Sequence, residues 1–147
     1  MQTMRLWHGI SVAHKKVYAI FGNYGNGSIE FYDFSYNRWT YATQMDREIT
    51  GSVSATYLNN AIYITTMDEP TIFWYEFVVC IPISITKSID HHSFLLSDHE
   101  DLILFHGDRI SRYNSDHRWT WWVKYPLQVG YSKGIPVKFE KEYYVMN

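Results

Sequence analysis

One two-strand phrase occurs four times in this chain of 147 residues. The copies are GISVAHKKVYAIFG (9–22), VSATYLNNAIYITT (53–66), SFLLSDHEDLILFHG (93–107) and GIPVKFEKEYYVMN (134–147). Each is an apolar run, two polar residues able to turn, and a second apolar run, which is the pattern of a β-hairpin. Val17, Ile62, Leu102 and Tyr143 hold equivalent places, so the phrase returns about every 40 to 45 residues. A hairpin cannot bury its own apolar face, and a chain that repeats one must stack the copies against each other.

The segments between the hairpins follow a rule as well. After the first copy, GNYGNG (22–27) is a flexible turn, and Ile29-Glu30-Phe31-Tyr32-Asp33-Phe34 alternates like a strand. DFSYN (33–37) turns, and Arg38-Trp39-Thr40-Tyr41-Ala42 resumes an extended pattern. The third unit repeats this, with Arg109-Ile110-Ser111-Arg112-Tyr113 followed by Arg118-Trp119-Thr120. In the second unit Tyr75 keeps its place, but Ile81 or Pro82 stands where Trp is expected. One unit is therefore four short strands. The expected blades are about 7–46, 51–88 and 91–126, with a half blade at about 130–147, all in one domain.

Four strands per unit, with Tyr ending the third and Trp in the fourth, resembles the kelch repeat of β-propellers. Asn59-Asn60 stands where that family's first hairpin turns. Phe21-Gly22 and His106-Gly107 stand at its Gly pair, and the Tyr32/Trp39 and Tyr113/Trp119 pairs follow. Met45-Asp46-Arg47 falls where kelch units often carry an Arg before the next blade. No unit keeps both glycines of the pair. The resemblance implies an all-β fold, a partial or incomplete kelch-like propeller of four-stranded antiparallel blades. Trp39, Trp119, Tyr32 and Tyr113 are expected to pack between neighbouring blades. Pro136 falls in the first strand of the fourth copy, where a one-sided pairing tolerates it. Three and a half blades are fewer than closed propellers have, which leaves open faces and edges that invite self-association. A segment of a longer kelch protein is the reading this favours.

Composition narrows the function. A net charge of −2 gives no electrostatic case for nucleic acid or an anionic membrane. Cys80 is the one cysteine and cannot form an internal disulfide. The stretch from Thr71 to Ile85 carries Glu76 and is too short to span a bilayer. No secretory leader is visible, and Asn26-Gly27-Ser28, a glycosylation sequon, has meaning only in a secreted chain. A soluble cytoplasmic protein is the expectation.

Signals for catalysis or metal are weak. Of seven histidines, His14 and His99 fall at hairpin turns, and His91-His92 begin a strand and point to opposite faces. No cofactor and no bound metal are expected. Asp98, Glu100 and Asp101 lack the spacing and Gly of a calcium loop, and GNYGNG lacks the Lys-Ser/Thr of a phosphate loop. Cys80 reads as a small core residue.

The resemblance implies a protein-interaction module that presents the loops between strands two and three, and those between blades, as one face. Asn23, Tyr24 and Asn26 would come from blade one, Arg47 from the first inter-blade loop, and Asp68 and Glu69 from blade two. His91 and His92 would follow, then Asp108 and Arg109, and finally Tyr131 and Lys133. The hairpin turns His14-Lys15, Asn59-Asn60, His99-Glu100 and Glu140-Lys141 should gather at the opposite end. A protein partner is expected, as in substrate-recruiting or scaffold members of the family. The alternative is an enzyme on the same scaffold, of the sugar oxidase or sialic-acid mutarotase type.

Overall fold

The computed structural model describes residues 1–67, 69, 71–84, 93–106, 109–114, 121–126, 135–139 and 142–146. The first sheet joins β1 (Gly9–Ala13), β2 (Lys16–Ile20), β3 (Ser28–Asp33) and β4 (Arg38–Gln44). The second joins β5 (Val53–Leu58), β6 (Ala61–Thr66), β7 (Thr71–Tyr75) and β8 (Cys80–Ser84). The third joins β9 (Ser93–Asp98), β10 (Asp101–His106), β11 (Arg109–Asn114) and β12 (Trp121–Pro126). β13 (Ile135–Phe139) and β14 (Glu142–Met146) form a two-stranded sheet. Every pairing is antiparallel and sequential, and no described residue is helical.

The first strands of the sheets stand side by side, β1 next to β5, β5 next to β9, and β13 beside β9. The sheets thus stack as blades around their first strands, the four-strand unit and final hairpin expected from the repeat. Proline obeys this layout. Pro136 lies in β13 and Pro82 in β8, both edge strands, where a missing N–H breaks no ladder on the open side.

Tight turns follow from the residues in them. His14 and Lys15 (φ 48° and 59°) and Asn59 and Asn60 (φ 46° and 63°) are all left-handed, as a type I′ hairpin needs. These turns meet: His14 Nε2 lies 2.7 Å from Asn60 Oδ1, and the His14 ring packs on Tyr57 and Phe77. The Glu140-Lys141 turn lies outside the described residues.

Alternation along each strand gives two core clusters among the described residues. One cluster, between blades one and two, joins Tyr18, Ile20, Phe21, Ile29 and Ile49 to Ile62, Ile64, Phe73 and Tyr75. A second, between blades two and three, joins Leu58, Ala61, Tyr63 and Ile72 to Leu95, Leu102, Leu104 and Tyr113. β6 feeds both, because successive side chains of a strand point to opposite faces.

The recurrent Tyr pairs with Val17 in blade one, Ile62 in blade two and Leu102 in blade three. In blades two and three this register turns it toward the preceding blade, so Tyr75 and Tyr113 are buried between blades. Blade one has no preceding sheet among the described residues. Tyr32 is there only half-buried, and so is Trp39, which meets Tyr32 edge-on at 5.5 Å. The expectation that Trp39 packs between blades is therefore corrected. Its neighbours are its own sheet and the N-terminal segment, whose Gln2 side chain donates to the Trp39 carbonyl. Trp119 lies outside the described residues.

That N-terminal segment covers the middle of blade one's outer face. Glu30 on β3 points outward into it, and both Glu30 and Arg5 have side chains with no exposed surface. Arg5 Nη2 donates to Glu30 Oε1 at 2.7 Å, and the backbone N–H groups of Gln2 and Thr3 donate to the same carboxylate. Arg5 also donates to the Phe21 and Ser28 carbonyls and to the Ser28 hydroxyl. Nearer the first strand the face is uncovered, with Ile10 59% and Val12 63% exposed.

Candidate binding site

At the end of the stack opposite the hairpin turns, three pieces of backbone are stitched together. Leu6 and Asn23 exchange N–H···O bonds at 3.1 and 2.9 Å, which ties the N-terminal segment to the β2–β3 loop. The Asn23 side chain accepts from Gly51 N–H, and Val53 N–H donates to the Trp7 carbonyl, which ties both to the loop leading into blade two. Met67 N–H donates to the Ser52 carbonyl. These crossings enclose a cleft of about 580 Å³ lined by Trp7, Asn23, Tyr24, Glu48, Thr50, Gly51, Ser52 and Met67.

Two aromatic side chains dominate its wall. Trp7 is 65% exposed and Tyr24 58% exposed, and both have left-handed backbones, φ 55° and 66°. Bulky residues avoid that region, at a cost of order 1–3 kcal/mol each. Burial does not offset this cost, because both rings face solvent. The neighbouring hydrogen bonds hold them there.

Gly22 sits at the crossing with φ +86°, and a Cβ on it would stand 2.6 Å from the Leu6 carbonyl oxygen and 2.9 Å from His8 Cα. Gly22→Ala is thus expected to destabilise by about 1–3 kcal/mol and to loosen the segment bearing Trp7. Denaturant unfolding checks the first effect, and faster amide exchange at residues 5–8 checks the second.

The charges at this end are arranged unevenly. Arg5 is spent on Glu30. Arg47, on the loop beside the cleft, pairs with Glu69 at 2.7 Å and lies 6.0 Å from the Phe73 ring centroid. Glu48 is exposed in the cleft wall, with no ion-pair or hydrogen-bond partner among the described residues. His8, beside Trp7, has its pKa lowered by burial and by the Arg5 charge, so its ring is neutral at pH 7. Burial pushes the Cys80 thiol up to about 12, far from a nucleophilic thiolate at neutral pH. Among the described residues no three His, Cys, Asp or Glu side chains are grouped to hold a metal ion.

Of the residues expected at a binding face, Asn23 and Tyr24 line the cleft, and Arg47 and Glu69 stand beside it. Asn26 is on the same loop, where its carbonyl accepts from the Gln44 side chain. Arg109 starts β11. Asp68, His91, His92, Asp108, Tyr131 and Lys133 lie outside the described residues. Sequence reasoning missed Trp7, Glu48, Thr50, Ser52 and Met67. Trp7 carries the one available signal, a large aromatic just ahead of the first hairpin and outside the repeat's own aromatic positions.

No protein-family model matches the chain, and no curated protein matches it. Among solved structures it is similar to a catalytically inactive virginiamycin B lyase from Staphylococcus aureus, solved with quinupristin and itself a β-propeller. The TM-score is 0.63 at 14% identity, and the match covers 88% of this chain. This chain spans about half of the lyase's length, 46%. The likeness establishes the scaffold, an all-β stack of four-stranded antiparallel propeller blades, and leaves the lyase's chemistry with the lyase.

Proposed function

We propose that this chain is a protein-recognition module of kelch type, from a scaffold or substrate-recruiting protein, whose docking face is the end of the stack around Trp7 and Tyr24. One observation carries the reading. Two large aromatics are held in unfavourable backbone conformations and point into solvent beside a polar cleft. Neither contributes the burial that would explain its presence as packing, and exposed aromatics of this kind anchor protein interfaces. The cleft spans loops from two blades, as the interaction faces of repeat proteins do. Arg47 and Glu69 extend the face beyond it, with Asn23 in the cleft and Asp68, His92, Asp108, Arg109, Tyr131 and Lys133 proposed on the corresponding loops.

Panning a displayed random-peptide library against the chain tests this. Enriched peptides should bind the unaltered protein and lose at least tenfold in affinity to Trp7→Ala and Tyr24→Ser. Both variants should melt within about 0.5 kcal/mol of the original, as expected of exposed positions. Peptides indifferent to both substitutions, or no enrichment at all, would refute the assignment of the face.

A further inference from the structure

We infer that the cleft between blades one and two takes a cationic side chain, a lysine or methylated lysine of an extended peptide, with Glu48 as its counter-charge. The inference rests on the recognition reading and adds the chemistry of what is recognised.

Three features of the cleft point the same way. Its wall has two exposed aromatic rings, Trp7 and Tyr24, whose π faces attract a cation, the indole most strongly. Among the described residues Glu48 is the one charged residue lining it, and it has no ion-pair or hydrogen-bond partner there. Two nearby cations among the described residues are already neutralised within the fold, Arg5 by Glu30 and Arg47 by Glu69. What remains at the mouth is an uncompensated carboxylate beside two aromatic faces.

A bound ammonium would lie against the rings and donate to Glu48, a charge-assisted contact stronger than a neutral one. Met67, unbranched and adaptable, completes an apolar surface for the methylene stem. An acidic side chain entering the same space would meet Glu48 with like charge and would gain nothing from the negative ring faces. A purely apolar side chain would leave the carboxylate without a partner. The lining therefore selects for positive charge by repulsion as well as by attraction.

The test uses end-blocked glycine pentapeptides carrying lysine, trimethyllysine, norleucine or glutamate at the centre. Binding is read from the Trp7 indole N–H resonance of the full chain, assigned by its loss in Trp7→Phe. The lysine and trimethyllysine peptides should shift it saturably and the glutamate peptide should not. Glu48→Gln should weaken the lysine peptide about tenfold, with binding falling as salt rises. Tyr24→Leu should weaken trimethyllysine by a similar factor. The variants' unchanged far-ultraviolet circular dichroism would exclude loss of fold. Equal binding of norleucine, or indifference to Glu48→Gln, would overturn the cationic assignment while leaving Trp7 and Tyr24 as a recognition face. No shift with any peptide would also overturn it, and the library experiment would then decide the recognition reading separately.

Discussion

Arg5→Ala is expected to lower stability by about 3–5 kcal/mol, the usual penalty for leaving one partner of a buried ion pair without the other. Glu30 has no route to water on blade one's outer face, and among the described residues Arg5 is its only charged partner. The pH response identifies the cause. Burial alone would raise the Glu30 carboxyl. Hydrogen bonds from Arg5, Gln2 and Thr3, with the Arg5 charge, outweigh burial and hold it below its ordinary value of 4.5. A carboxyl depressed in the folded state adds stability above about pH 4.5 and loses it as pH falls through the lower folded value. Without Arg5, desolvation prevails and the folded pKa rises, so the variant's stability should instead decline as pH climbs through that raised value. Melting curves from pH 3 to 7 should therefore show slopes of opposite sign for the two proteins. Arg5→Met combined with Glu30→Leu should recover most of the loss, since an apolar pair of similar volume leaves no buried charge. A single Arg5→Ala variant within about 1 kcal/mol of the original would refute the buried pair.

Phe73→Ala should cost a similar amount, about 3–5 kcal/mol, through the cavity it leaves between blades one and two. Its ring has no exposed surface and meets Phe21 edge-on at 5.5 Å with the planes at 81°. Both rings belong to the first cluster, so the loss should appear as one cooperative shift in the denaturant midpoint. Trp39→Ala, by contrast, should cost about 1 kcal/mol, because Trp39 is half-buried against its own sheet. Finding Trp39 the costlier position would reverse the assignment of inner and outer faces.

The architecture was legible because a repeat imposes its register on every copy. Asn59-Asn60 marks a hairpin turn as plainly in the letters as in its two left-handed φ angles. Trp39 shows where that legibility stops. Sequence equivalence gives a residue its place within the blade, but its burial depends on whether another blade stands in front of it. The Arg5–Glu30 pair was hidden for a different reason. Its members are 25 positions apart, one sits in a segment outside the repeat, and a glutamate in an alternating strand reads as solvent-facing. Asn23 and Tyr24 could be assigned to a loop at the end opposite the hairpin turns because their place in the repeat says so. Trp7 and Glu48 could not, since the cleft forms where non-repeating segments cross.

Glu30 also gives the array a direction. The equivalent places on the third strands of blades two and three hold Phe73 and Ser111, both buried. Those residues let a sheet dock in front of them, whereas Glu30 with residues 2–5 folded over it does not. A sheet added before blade one would have to evict that segment and strand a carboxylate in an apolar seam, at several kcal/mol. Elongation by duplicated units is thus favoured at the far end of the stack. An engineer wishing to place a sheet before blade one would displace residues 2–5 and give position 30 the Phe of blade two, turning a covered face into a joint.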